Sequence, residues 1–131
     1  ALGAEGVQVG SRFVATAEAS VHAAFKEKVV AAGEGDTELT LKELAPVRLL
    51  KNGFYQQVKD LYNTQQATVA NLQALVGNRR TKRGMFEGDM AEGELEIGQV
   101  AALIDKVQTA KEVIDEMVAE YKASLTRVNT F

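Results

Sequence analysis

The stretch Gly6-Val7-Gln8-Val9-Gly10-Ser11-Arg12-Phe13-Val14 constrains the fold of this chain more than any other. It reads as a buried strand that runs straight into a Gly-Ser turn. A parallel strand of this kind needs neighbours on both sides, and the remaining sequence offers few candidates to supply them. The chain also begins at Ala1 without an initiator methionine, and the expectation is that it is the tail of something larger. At the end of such a strand the backbone N–H groups of Gly10 and Ser11 leave the ladder. Glycine then admits an anion closely, and the Ser11 hydroxyl adds a donor. On the motif alone, a plain strand-ending turn is the better account of the same two residues.

The rest of the chain is mostly helical in pattern. Val21, Phe25, Val29 and Ala32 recur at helical spacing, with Gly33 placed to stop the helix. Thr37-Glu38-Leu39-Thr40-Leu41 alternates like a short edge strand, although Thr40 and Glu43 also have the spacing of a capping box before Pro46. Val47-Arg48-Leu49-Leu50 is extended or loop-like. Asn52 can cap a helix carrying Phe54, Val58, Leu61 and Tyr62 on one face, and Val69, Leu72, Leu75 and Val76 form another helix ending at Gly77-Asn78. The last helix follows Thr109 and Glu112, a capping box, with Val113, Ile114, Met117, Val118, Tyr121 and Leu125 along it. That apolar face is too wide for a helix alone in water.

Composition excludes more than it proposes. The 131 residues are 46% hydrophobic, enough for one real core. A formal charge of −3 argues against a dedicated nucleic-acid binder. No apolar run approaches the ~20 residues that span a bilayer, and no signal segment opens the chain, so no membrane is expected and the cytoplasm is the default location. With no cysteine there are no thiolate metal sites, disulfides or cysteine nucleophiles, and the one histidine, His22, lacks a Gly-x-Ser-x-Gly partner motif.

Four blocks of residues carry a family resemblance. Gly3 to Thr16 resembles the last barrel strand of the flavin-dependent nitronate monooxygenases, formerly 2-nitropropane dioxygenases, and of the related flavin-type enoyl-acyl-carrier-protein reductases. His22-Ala23-Ala24-Phe25-Lys26 is similar to the family's His-Pro-x-aromatic-Lys, with Ala23 where proline is usual. Pro46-Val47-Arg48-Leu49-Leu50-Lys51-Asn52 resembles its Pro-Val-Arg-x-x-x-Asn. Glu87-Gly88-Asp89, Gly93, and Gly98-Gln99 with Leu103-Ile104 resemble its late elements. The blocks keep the family's order from Gly3 to Ile104.

The resemblance implies an α/β fold: the C-terminal segment of a (β/α)8 barrel, its last strand and following helix over residues 1–33 and a mostly helical region over 34–131, in one incomplete domain. It implies an oxidoreductase parent that holds FMN, with NAD(P)H as a further cofactor of the reductases, and a nitronate or an enoyl thioester as substrate. The family's phosphate contact maps onto Gly10 and Ser11, where Ser11 replaces the usual threonine and keeps its hydroxyl. Gln99 follows a glycine that permits close approach, and its amide suits a flavin edge or a polar substrate; ordinary helix-entrance packing explains it equally well.

No catalytic residue is expected in this chain, because the family's catalytic histidine lies on an earlier barrel loop. His22 corresponds to a different histidine and reads as a helix-start residue bonded to nearby backbone. The isolated chain is therefore expected to be inactive without the missing N-terminal barrel portion. The basic group Arg79, Arg80, Lys82 and Arg83, followed by Glu87, Asp89, Glu92, Glu94 and Glu96, reads as a solvated helix and loop. An acidic carrier protein or a dinucleotide phosphate is the functional alternative for the basic members. A glycosidase carboxylate pair is rejected and calcium-loop spacing is absent. Self-association into a homo-oligomer is expected, and the competing reading of the whole chain is a helical interaction module without catalysis.

Overall fold

The computed structural model describes residues 3–128, so the outer ends of both segments expected from the sequence lie outside the described residues. Among the described residues five α-helices follow one another: α1 (Ser11–Val14), α2 (Ala23–Val30), α3 (Gly53–Asn63), α4 (Val69–Val76) and α5 (Ala110–Val128). Two strands, β1 (Thr37–Thr40) and β2 (Val47–Leu50), lie between α2 and α3. A π turn at Lys82–Phe86 and a 3-10 turn at Gln99–Leu103 separate α4 from α5.

The helices start where the local chemistry satisfies their free N–H groups. His22 Nδ1 accepts from the Ala24 N–H at 3.1 Å, so its place at a helix start holds. Asn52 Oδ1 accepts from Tyr55 N–H at 2.9 Å, and the Thr68 hydroxyl accepts from Asn71 N–H at 3.2 Å. At α5 the Thr109 N–H donates to Glu112 at 2.8 Å while the Glu112 N–H donates to the Thr109 hydroxyl at 3.2 Å. A second cap comes from far along the chain: both carboxylate oxygens of Glu18 accept from Ala110 N–H, at 3.0 and 3.1 Å. Negative charge at a helix N-terminus is favourable there.

The strands pair antiparallel, from Thr37 opposite Leu50 to Thr40 opposite Val47. The capping-box alternative at Thr40 gives way to this pairing, and the chain leaves β1 at Leu41, whose φ is 54°. On the other edge of β2, Leu50 N–H donates to Leu95 O at 2.9 Å and Ile97 N–H to Arg48 O at 3.1 Å. Residues 95–97 thus run along the edge of β2 through one antiparallel bridge, Leu49 opposite Glu96. Because successive side chains of a strand point to opposite faces, β2 divides the interior. Leu50 packs with Ala15, Phe25, Val29, Leu95, Ile97, Ala101 and Ile104, while Leu49 packs with Leu41, Phe54, Val58 and Leu72. The first of these cores unites residues from both sides of position 33.

Two expectations are corrected. Residues 6–10 form no strand, and Ser11–Val14 is helical, with Phe13 N–H donating to Gly10 O at 2.9 Å. A strand exists through its ladder, and none of the described residues pairs with 6–10. The segment 79–98 is not a solvated loop: Gly84, Gly93, Glu94, Leu95 and Ile97 are buried. Its glycines serve close approach of two backbones. A Cβ on Gly93 would stand 2.2 Å from the Gly84 Cα, and one on Gly84 would stand 2.6 Å from Glu94 O. The π turn carries Gly84 into that contact, with Glu87 N–H reaching Lys82 O at 3.0 Å.

These contacts set a contrast in urea unfolding. Gly93→Ala is expected to cost about 3 kcal/mol or more, since neither backbone can yield. Gly10→Ala is expected to stay within roughly 0.5 kcal/mol of the parent chain, because a Cβ there meets no atom within 4 Å and its φ of −111° suits any residue.

Candidate functional site

Two short turns begin side by side. Gly10 precedes α1 and Gly98 precedes the 3-10 turn. The Ser11 hydroxyl oxygen accepts from the Gly98 N–H at 2.9 Å, which joins the two starts directly. A Cβ at 98 would lie 2.7 Å from that oxygen, so a larger residue there would turn the Ser11 hydroxyl away from this bond. A hydroxyl that accepts in this way still has its own hydrogen to donate. The first amides of α1, at Ser11 and Arg12, have no partner within the helix, and the space beside Gly10 is open within 4 Å. Gln99 follows Gly98 and is exposed. The three residues singled out from the sequence, Gly10, Ser11 and Gln99, therefore meet on one edge of the molecule.

Arg12 was not singled out, yet it stands beside this edge. Its guanidinium donates to the side chain of Gln108, whose backbone also accepts from Ala17 N–H at 2.8 Å. Arg12, Leu103, Asp105, Gln108, Glu116 and Met117 border a groove of about 610 Å³ along α5. The signal for Arg12 was only its place after Ser11.

The family model for nitronate monooxygenase matches residues 1–120. The chain belongs to the nitronate monooxygenase family. It is 28% identical to a 5-hydroxy-7a-methyl-1-oxo-octahydro-1H-indene-4-carboxyl-CoA dehydrogenase of Rhodococcus jostii, over 92% of this chain and 44% of that protein. A protein of Mycobacterium tuberculosis described as a monooxygenase is 30% identical over 92% of this chain and 34% of its own length. FabK from Thermotoga maritima superposes with a TM-score of 0.82 at 34% identity, covering 97% of this chain and 40% of FabK. The chain thus spans less than half the length of these relatives. The family is one of oxidoreductases.

Within this nitronate monooxygenase family chain the remaining motif residues act as interlocks. His22 sits on Gly88, where a Cβ would come within 2.6 Å of the ring, and its backbone N–H donates to Met85 O at 2.8 Å. Gly88 itself has φ +83°. Asn52 caps α3 with its oxygen while its amide nitrogen donates to Gly93 O at 2.8 Å and Met90 O at 3.1 Å. Asp89 accepts from Glu92 N–H at 2.8 Å and pairs with Arg83 at 2.5 Å. The Glu92 N–H, ahead of Arg83, holds the Asp89 carboxyl below its ordinary value.

The basic group is largely engaged within the chain. Arg79 and Lys82 both approach Glu87, at 3.9 and 3.5 Å. Arg80 is a correction to the solvated-face reading: its guanidinium lies 4.6 Å from the Phe54 ring centre and donates to Glu92 O at 2.8 Å. Planar guanidinium groups stack on aromatic faces and tolerate burial.

Glu94 is buried, 6% exposed, and accepts from the Thr81 hydroxyl at 2.6 Å. Burial pushes its carboxyl above the ordinary 4.5, the Thr81 bond opposes that, and the Glu96 charge adds to it. A raised folded-state value means folding favours the protonated form. That stabilisation is complete below the ordinary value and is lost as pH rises through the raised one. Glu94→Gln, which keeps the acceptor for Thr81, is accordingly expected to stabilise the chain by about 1 kcal/mol near neutral pH. In urea melts at about pH 4 the gain should disappear.

Proposed function

We propose that this chain is the C-terminal portion of an FMN-dependent (β/α)8-barrel oxidoreductase, and that Gly10 and Ser11 form part of its phosphate clip. The observation that carries the reading is the Ser11 hydroxyl held by Gly98 N–H beside the open backbone of Gly10. One hydroxyl hydrogen and the first amides of α1 suit the oxygens of a phosphate monoester. Gln99, next in line, offers an amide that both donates and accepts, which suits a flavin edge or a polar substrate. A flavin bound there supplies the redox chemistry, taking electrons from a nitronate or from NAD(P)H and passing them to dioxygen or an enoyl thioester.

In this reading the chain's own residues bind and orient. Ser11 fixes the phosphate end, Gly98 fixes Ser11, and the 3-10 turn carries Gln99 to the same edge. The catalytic histidine and the remainder of the flavin pocket belong to an N-terminal barrel portion. No helix among the described residues is long and apolar enough to cross a membrane, and the proposal places the parent enzyme in the cytoplasm.

The visible spectrum of the purified 131-residue chain with added FMN tests this division of labour. The expected spectrum is that of free flavin, with no turnover of a nitronate or an enoyl thioester, whereas the full-length protein carries a bound chromophore. Stoichiometric FMN binding and turnover by the 131 residues alone would overturn the proposal.

A further inference from the structure

Asn52-Gly53 is the one Asn-Gly pair in the sequence, and the fold demands each member for its own reason. Position 53 opens α3 against the backbone of residue 91. A Cβ there would stand 2.9 Å from Ala91 O, and Phe54 N–H donates to that same oxygen at 3.1 Å. Position 52 must accept and donate at once. Its Oδ1 accepts from Tyr55 N–H at 2.9 Å, while its Nδ2 donates to Gly93 O at 2.8 Å and to Met90 O at 3.1 Å. Aspartate caps a helix as well as asparagine does, yet once ionised it has no hydrogen for those two carbonyls. The two demands together set a primary amide next to a backbone nitrogen that no side chain shields.

We infer that Asn52-Gly53 is a site of spontaneous deamidation that the folded chain holds closed, and that the reaction releases residues 90–93 from α3. The Gly53 nitrogen attacks Asn52 Cγ and a C–N bond forms. The proton lost from that nitrogen ends on Nδ2, which departs as ammonia and leaves a five-membered succinimide. Water then opens either carbonyl of the ring, giving aspartate or isoaspartate at position 52. Asparagine is among the thermally labile residues for this reason, and Gly53 is exposed, so water reaches the pair. Expulsion of Nδ2 breaks the bonds to Met90 and Gly93, so the reaction waits for a local opening of this joint. In the product a carboxylate oxygen faces two carbonyl oxygens where an amide hydrogen stood before, and the three repel one another. The isoaspartate branch also inserts a methylene into the main chain at the start of α3, which moves Gly53 off Ala91. The lost amide is not regained on reclosing. The inference does not rest on flavin binding.

The test keeps the full-length protein at neutral pH, either folded or in urea, and follows residue 52 by peptide mass mapping with enzymatic labelling of isoaspartate. In urea Asn52 is expected to convert ahead of Asn63, Asn71 and Asn78, which precede Thr, Leu and Arg. In the folded protein its conversion is expected to be about a hundredfold slower or more, since three hydrogen bonds must open first. Asn52→Asp, made directly, should lower the urea midpoint although it keeps the cap of α3. Conversion at the same rate in the folded protein and in urea, or an Asn52→Asp protein with the midpoint of the parent, would overturn the inference.

Discussion

The contact on which most of this structure depends is the meeting of two bare backbones, Gly84 on the π turn and Gly93 on the segment that follows it. With no side chain between them, residues 88–98 are drawn into the middle of the molecule instead of looping through solvent. From there they reach the starts of α1, α2 and α3 and the edge of β2. Gly88 supports the His22 ring, and Met90 and Gly93 accept from the Asn52 amide. Residues 95–97 line the free edge of β2, and Gly98 donates to Ser11. Each of these bonds is an ordinary one of about 1 kcal/mol net. Their shared dependence on one close approach makes them cooperative.

The candidate site inherits its precision from this arrangement. Ser11 begins a helix of only four residues, which has little stiffness of its own. What fixes the hydroxyl is the Gly98 N–H, and what fixes Gly98 is the pairing of Ile97 with Arg48 on β2. The short turns are thus placed by the sheet and the core behind them, as a binding loop is placed by its scaffold. Glu18 extends the same logic to α5, accepting from its first N–H.

What could be read from the sequence was what is decided locally. The caps at His22, Asn52 and Thr109 lie within three residues of the groups they satisfy, and the spacing of each helix repeats within its own length. The edge strand at Thr37–Thr40 was legible from alternation over four residues. The strand expected over 6–14 was not realised, because a ladder depends on partners that no local pattern supplies. The segment 79–98 misled for another reason. Glycines at 84 and 93 have the same letters as turn glycines, although they serve packing, and Arg80 was counted as a charge when its plane lies against Phe54. Glu18, at 92 residues from Ala110, gave no local signal at all. The convergence of Ser11 with Gln99 came from family resemblance and from no spacing within this chain.

The central claim is that the hydroxyl at position 11 holds a phosphate. It is tested most directly by titrating the full-length protein, with Ser11 intact or replaced, with FMN and with riboflavin, which lacks the phosphate. A hydrogen bond to a charged group contributes roughly 1.5–3 kcal/mol. Ser11→Ala should therefore weaken FMN by about tenfold to a hundredfold and leave riboflavin nearly unchanged, while Ser11→Thr keeps both affinities. Equal losses for the two flavins, or no loss for either, would contradict the account.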